Sequence, residues 1–126
     1  MGGTRRILII EDDERIIRFI KRGLEAEEYL VDVASNGEAG INLAKTGSYH
    51  VILLDVYLPR INGLEVCRKL RQHSMNTPIV MMTAQDVPQV EQEAIQAGVN
   101  GYLPKPFSFE VLLSKIGSFD FCPQSS

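Results

Sequence analysis

The chain has no long apolar run, no dense group of basic residues and only two cysteines. Its longest hydrophobic stretches are of strand length, so none predicts a membrane span. The net charge is −3, and a chain without a basic patch offers little to a nucleic-acid backbone. No apolar signal-peptide core follows the first residues, which favours the cytoplasm. We therefore expect neither membrane insertion nor direct nucleic-acid binding.

The cysteines and histidines form no metal-binding pattern. Cys67 and Cys122 lack the close spacing of metal ligands, so we interpret both as free thiols in a reducing compartment. His50 and His73 lie outside every motif described below. We expect both histidines to be surface or strand-edge residues without a catalytic or metal-binding role.

Length and composition predict one compact α/β domain. The chain has 126 residues, of which 44% are hydrophobic and 23% charged, as in an ordinary globular domain. Apolar runs of strand length alternate with segments of helical periodicity. Five such βα units with short connections predict a parallel sheet covered by helices on both faces. The predicted strands are residues 6–10, 29–34, 51–54, 79–82 and 101–103.

Helix boundaries also have local signals. Asn36 lies in a segment that offers cap residues to the second helix, Ser108 precedes the last helix, and Gly98 follows the fourth. Asparagine and serine accept hydrogen bonds from the first free N–H groups of a helix. Glycine adopts the left-handed conformation that ends one. Pro104 is expected to stop the fifth strand.

Acidic residues follow two of the predicted strands. Asp55 ends the apolar run 51–54, and Glu11, Asp12 and Asp13 follow the run 7–10. Open α/β folds place their ligands at the carboxyl ends of strands. If these two strands are neighbours, the carboxylates converge, and their mutual repulsion requires a cation. The acids after the first strand can also be read as residues favoured by a helix N-terminus.

Four motifs lie at the ends of predicted strands. They are Ile-Leu-Ile-Ile-Glu-Asp-Asp (7–13), Leu53-Leu54-Asp55 with Leu58-Pro59 and Gly63, Met82-Thr83-Ala84, and Tyr102-Leu103-Pro104-Lys105-Pro106-Phe107. Together they resemble the receiver domain of bacterial two-component response regulators. The resemblance implies a flavodoxin-like (βα)5 receiver fold over residues 5–117, with residues 118–126 as a C-terminal tail or linker.

The resemblance assigns a role to each site residue. Asp55 is the phosphoacceptor, Thr83 donates its hydroxyl to the phosphoryl group, and Lys105 supplies a positive charge. The metal is Mg²⁺, or Mn²⁺ in its place. The implied ligands are Asp12 and Asp55 directly, Glu11 through water, and the backbone carbonyl of Tyr57.

The resemblance also implies partners and a switch. A histidine kinase or phosphotransfer protein donates the phosphoryl group, and the domain catalyses only its own phosphorylation and dephosphorylation. Thr83 and Tyr102 then alter a face made by helix four, strand five and helix five. That face binds a downstream protein or an attached output domain. Tyr57 and Gln85 flank the path of the water that hydrolyses the acyl phosphate, and we expect Tyr57 to shield it.

Two other functions fit the same fold less well. A flavin carrier needs Gly, Ser or Thr donors after the first strand, whereas this chain has three acids there. A Mg²⁺-dependent phosphatase with an aspartate nucleophile has a second acid two residues on, where this chain has Tyr57.

The origin of the domain also stays open. Winged-helix transcription regulators of the family carry an acid pair where this chain has Asn100-Gly101. A stand-alone adaptor and a receiver from a hybrid kinase are therefore considered beside a transcription regulator.

Overall fold

The computed structural model describes residues 5–84 and 88–119. Strands and helices alternate as predicted, and the observed boundaries lie within a residue or two of the expected ones. In chain order the elements are β1 (Arg6–Ile10), α1 (Glu14–Ala26), β2 (Leu30–Ala34), α2 (Gly37–Thr46), β3 (Val51–Asp55), α3 (Gly63–Gln72), β4 (Ile79–Thr83), α4 (Pro88–Ala97), β5 (Gly101–Pro104) and α5 (Phe109–Gly117).

The five strands form one parallel sheet in the order β2-β1-β3-β4-β5. Ile10 is paired with Leu54, and Asp55 is paired with Met82. The prediction of a five-stranded parallel sheet with helices on both faces is confirmed. Because β1 and β3 are neighbours, the two acidic segments end side by side at the carboxyl edge of the sheet.

Both faces of the sheet are buried, which explains why its strands read as continuous apolar runs. In β1, Leu8 and Ile10 join a core cluster that includes residues of α2, α3 and α4. Ile7 and Ile9 point the other way, into a cluster that includes residues of α1 and α5. The alternation along each strand therefore supplies two cores from one sheet.

Side-chain caps hold the helices where the local signals predicted. Asn36 accepts a hydrogen bond from the N–H of Ala39 at 2.8 Å, and Ser108 accepts one from Val111 at 3.2 Å. Gly98 has φ of +107°, the conformation expected after the end of α4. These predictions are confirmed. The strand β5 ends at Pro104, one residue beyond the predicted end at Leu103.

The outer strands β2 and β5 differ in how they end the sheet. Asp32 of β2 accepts a hydrogen bond from the Tyr49 hydroxyl at 2.7 Å and lies 3.3 Å from Arg6 Nη1. Burial and this hydrogen bond raise the pKa of Tyr49 to about 12. At the other side, β5 has four residues and ends at Pro104, which has no N–H.

The remaining sequence expectations concern isolated residues. Cys67 is a buried free thiol, as predicted; Cys122 lies outside the described residues. His50 is partly buried just before β3, and His73 is exposed at the end of α3. In residues 5–84 and 88–119, every helix is too short or too polar to cross a membrane.

Candidate functional site

The carboxyl edge of the sheet gathers the residues singled out at strand ends. Glu11 follows β1, Asp55 ends β3, Thr83 ends β4 and Lys105 follows β5. These four strands are consecutive in the sheet. The backbone N–H of Lys105 donates to the carbonyl of Thr83 at 2.7 Å, which fixes the lysine beside the end of β4.

Among residues 5–84 and 88–119, three carboxylates meet at this edge. Glu11, Asp12 and Asp55 each contribute an oxygen to a group whose members all lie within 4.8 Å of one another. Glu11 is 1% exposed and Asp55 is 3% exposed, whereas Asp12 is exposed to solvent. The structure thus brings together the acids that the sequence placed at two separate strand ends.

Glu11 is held by three donors. Its Oε2 accepts from the N–H groups of Asp12 at 3.2 Å and Asp13 at 3.1 Å. Its Oε1 accepts from Lys105 Nζ at 2.9 Å. Because both carboxylate oxygens have partners within the protein, the orientation of the Glu11 side chain is fixed.

Asp13 serves a different purpose from its two neighbours. It is the N-cap of α1, where its Oδ1 accepts from the N–H of Arg15 at 3.0 Å. That hydrogen bond lowers the pKa of Asp13. The interpretation as helix N-terminal acids therefore applies to Asp13, while Glu11 and Asp12 turn toward Asp55.

Lys105 is shared between two carboxylates. Its Nζ lies 2.9 Å from Glu11 Oε1 and 3.1 Å from Asp55 Oδ1. The contact with Asp55 is a charge attraction rather than an aligned hydrogen bond. Burial lowers the pKa of Lys105, but the Glu11 and Asp55 carboxylates raise it by more, so the net shift is upward. The lysine therefore stays an ammonium.

The pKa of the Asp55 carboxyl is raised by its surroundings. Burial first, and the Glu11 carboxylate second, raise its pKa to about 6, although Lys105 acts in the opposite direction. One ammonium thus faces two buried carboxylates and a third, exposed one. A small group of oxygen donors with excess negative charge is the donor set of a hard divalent cation.

The backbone after Asp55 is held close to the start of α3. The N–H of Gly63 donates to the carbonyl of Val56 at 2.7 Å. A Cβ at Gly63 would overlap the Asp55 carbonyl oxygen and approach Val56 Cα to 2.9 Å. Only glycine allows this approach. Tyr57, in the same loop, has a side chain that is 47% exposed.

The two predicted switch residues lie on adjoining strands. Thr83 is fully buried at the end of β4. Tyr102 of β5 pairs with Met81 and packs, half-buried, on the cluster that includes residues of α2, α3 and α4. The hydroxyl oxygen of Tyr102 is shielded from solvent. Gln85, expected near the water path, lies outside the described residues.

A groove beside the site was missed by the sequence analysis. It encloses about 580 Å³ and has Lys105 in its wall, so it opens next to the carboxylates. Phe19 is 45% exposed there. An aromatic residue on the polar outer surface of α1 is the sequence signal from which the groove could have been predicted. Its lining residues are Asp13, Arg15, Ile16, Phe19, Ala84, Lys105, Pro106 and Phe107.

Fold and site together define a class: a parallel α/β domain with an acidic, cation-type site at the carboxyl edge of its sheet. The family model of the response regulator receiver domain matches residues 7–117. The chain therefore belongs to this family, and it is a receiver domain of the two-component response regulators.

Relatives and solved structures agree with this assignment. The uncharacterized transcriptional regulatory protein YkoG of Bacillus subtilis (strain 168) is 43% identical over 110 residues, covering 87% of this chain and 48% of the relative. The chain spans about half the length of the curated relatives it matches. A two-component response regulator from Clostridium difficile superposes with a TM-score of 0.91 at 30% identity, covering 97% of this chain and 100% of that one.

Another similar structure contains a metal. It is the receiver domain of the sensor histidine kinase PA1611 from Pseudomonas aeruginosa PAO1, with a magnesium ion coordinated in its active site cleft. Its TM-score is 0.84 at 27% identity, and the match covers 93% of this chain and 98% of that chain.

Proposed function

We propose that Asp55 accepts a phosphoryl group from the phosphohistidine of a histidine kinase or phosphotransfer protein in the cytoplasm. The observation that carries this is the buried Asp55 carboxylate, which lies beside Glu11 and within 3.1 Å of Lys105 Nζ. An Asp55 oxygen forms the new bond to phosphorus while the bond from phosphorus to the donor nitrogen breaks. The nitrogen keeps the electron pair, and Asp55 becomes an acyl phosphate.

The donor set fits Mg²⁺, with Mn²⁺ as a substitute. Asp12 and Asp55 would hold the ion directly, with the Tyr57 carbonyl as a backbone ligand. Glu11 would act through water, which agrees with the protein donors already on both its oxygens. When bound, the ion neutralises the repulsion between these carboxylates and the phosphoryl oxygens. The PA1611 domain, which contains magnesium in its cleft, supports this choice.

Lys105 and Thr83 complete the phosphoryl site. The Lys105 ammonium attracts a phosphoryl oxygen as a point charge, and the Thr83 hydroxyl donates to another. These residues serve the domain's own phosphorylation and dephosphorylation, not the conversion of other substrates. The two alternative functions gain no support: Glu11 and Asp12 repel a flavin phosphate, and the half-exposed Tyr57 cannot act as the second acid of a phosphatase.

The apolar groove suits the approach of the phosphodonor. It lies against Lys105 and presents Phe19 of α1 beside Phe107. Phe19 also meets Phe109 edge-on, with ring centroids 6.2 Å apart, so its exposed ring is held in place. A donor helix that packs an apolar residue here brings its phosphohistidine to the edge of the sheet where Asp55 lies.

The face made by α4, β5 and α5 would read out phosphorylation. A second groove of about 460 Å³ lies there, lined in part by Ile95, Tyr102 and Lys115. Ile95 is 61% exposed. Movement of Thr83 toward the phosphoryl group would change the packing of Tyr102 on this face. The partner that binds this face would be a downstream protein or an output domain attached after residues 118–126, with residues 5–117 as the receiver unit.

Asp55→Asn tests the assignment most directly. The variant keeps the shape of the side chain but loses the charged nucleophile. We expect it to incorporate less than about one hundredth of the wild-type phosphoryl group from acetyl phosphate with Mg²⁺. The measurement is intact mass or a radiolabel. Asp13→Asn, which keeps the cap of α1, is the matched control and should be labelled like the wild type. Normal labelling of Asp55→Asn would refute the proposal.

A further inference from the structure

Arg71, near the end of α3, joins three segments at the amino edge of the sheet. Its Nε donates to the carbonyl of Gly98 at 3.0 Å, and its Nη1 donates to the carbonyls of Met75 at 2.7 Å and Thr77 at 2.9 Å. Its Nη2 donates to Asn100 Oδ1 at 2.7 Å. A planar guanidinium can satisfy all four acceptors at once, which an ammonium cannot do.

Asn100 extends this set of bonds to β4. Its Oδ1 also accepts from the N–H of Ile79 at 2.9 Å, and its own N–H donates to the Ile79 carbonyl at 2.8 Å. Asn100, which stands where the winged-helix regulators carry an acid, therefore bonds to groups of its own chain. Arg71 and Asn100 together tie the turn after α4 to the start of β4.

The last turn of α4 has further ties to α3. Cys67 Sγ donates to the carbonyl of Ala97 at 3.2 Å. At Gly98 the positive φ excludes an ordinary side chain, and a Cβ there would lie 3.0 Å from Arg71 Cγ. The C-terminal end of α4 is thus fixed both by hydrogen bonds and by close packing of the Arg71 stem.

We propose that Arg71 and Asn100 anchor the C-terminal end of α4, so that the readout face changes by rotation of α4 about Gly98. The inference rests on the proposed function, in which the signal starts at Thr83, five residues before Pro88. A helix of 10 residues is about 15 Å long. With one end fixed, its displacement is largest near Pro88 and smallest near Ala97. Arg71 is then a positioning residue for the switch, remote from the phosphoryl chemistry.

The first experiment tests the anchor in the unphosphorylated protein. Arg71→Met keeps the packing stem but removes all donors, and Asn100→Ala removes the shared acceptor. Both should speed amide hydrogen exchange at Ile79, Val99 and Asn100 by about tenfold, because these amides lose protection locally.

Two controls accompany that experiment. Asn100→Asp keeps an oxygen acceptor, and Arg68→Met changes an exposed neighbour on α3; exchange in both should resemble the wild type. Phosphoryl incorporation at Asp55 should be the same in all four variants. Unchanged exchange in Arg71→Met and Asn100→Ala would overturn the anchor.

The second experiment tests the rotation, with Mg²⁺ and beryllium fluoride as the phosphoryl stand-in. In the wild type, amide chemical shifts should change more over residues 89–94 than over residues 97–101. In Arg71→Met the changes should extend to residues 97–101. Equal changes at both ends of α4 in the wild type, or none in α4 while the surroundings of Asp55 respond, would overturn the rotation. No response around Asp55 would instead fault the proposed function, and the exchange measurement would still decide whether Arg71 is an anchor.

Discussion

The two edges of the sheet hold their charged side chains in opposite ways. At the carboxyl edge, a single ammonium, that of Lys105, lies between the buried carboxylates of Glu11 and Asp55. At the amino edge, the guanidinium of Arg71 has four acceptors, all of them oxygens of the protein.

This difference between the two edges suggests that the carboxyl edge serves ligand binding and the amino edge serves stability. Excess negative charge at the carboxyl edge opposes folding, and a bound cation would offset part of this repulsion. The hydrogen bonds of Arg71 and Asn100 at the amino edge are made within the protein and stabilise it without a bound ion. Changes at the two edges should therefore have different signatures.

Lys105→Met should have the largest effect. It leaves two buried carboxylates without their ammonium, and we expect the free energy of unfolding without metal to fall by about 2–3 kcal/mol. Urea unfolding at pH 7 measures it, with the exposed Lys45→Met as a control within about 0.5 kcal/mol of the wild type. Adding Asp55→Asn to Lys105→Met should recover much of the loss. Failure to recover it would mean that packing, not charge, causes the loss.

The pH dependence of stability should report Asp55 next. Its pKa in the folded protein, about 6, lies above the ordinary value of 3.8. Between these two pH values the folded protein binds the Asp55 proton more tightly than the unfolded chain does. Protonation of Asp55 therefore raises the free energy of unfolding as the pH falls, and this contribution is lost as the pH rises through 6. From pH 7 to pH 4 the metal-free wild type should gain about 2 kcal/mol relative to Asp55→Asn. Parallel curves for the two proteins would contradict the raised pKa.

Mg²⁺ should stabilise the domain by a smaller amount. At a concentration about five times its dissociation constant, the gain is about 1 kcal/mol. Thermal melts with and without Mg²⁺ should show the rise in the wild type and a weaker one in Asp12→Asn. Asp13→Asn, at the helix cap, should respond like the wild type. An equal response of Asp12→Asn and the wild type would remove Asp12 from the ligand set.

Tyr57→Ala should have the smallest effect. Tyr57 lies two residues after Asp55, and its half-exposed ring is expected to shield the acyl phosphate from water. Its removal should speed hydrolysis about threefold, equivalent to about 0.65 kcal/mol in the barrier. Decay of phosphorylated protein after removal of the donor measures it. Leu30→Ala, exposed on β2, is the control, and an unchanged rate in Tyr57→Ala would reject the shielding role.

Most of the fold could be predicted because the sheet is buried on both sides. That burial produces the uninterrupted runs 7–10, 51–54 and 79–82, and short connections leave few ways to join them. The meeting of Glu11 with Asp55 also followed, because carboxyl ends of parallel strands share one edge. The roles assigned to Thr83, Tyr102 and the Tyr57 carbonyl stay predictions.

The direction of individual side chains could not be predicted. Three consecutive acids look alike in the sequence, yet Asp13 caps α1 while Glu11 turns to Lys105, because the helix begins at the next residue, Glu14. From the sequence, Asn100 could be described only as a residue at the position where the winged-helix regulators carry an acid. Its hydrogen bonds to Ile79 and Arg71 depend on contacts between residues 21 and 29 positions apart, which local patterns do not encode.

The outer strands of the sheet have a consequence for how the domain associates with others. Unpaired strand edges invite further strands, and proteins counter this with charges, short strands and proline. Here β2 carries Asp32 among its partly buried residues, and β5 is short and ends at Pro104. We expect the domain to resist strand exchange and fibril growth at high concentration. Other proteins and fused domains should bind through side chains, as on the face made by α4, β5 and α5, and not by adding a strand to the sheet.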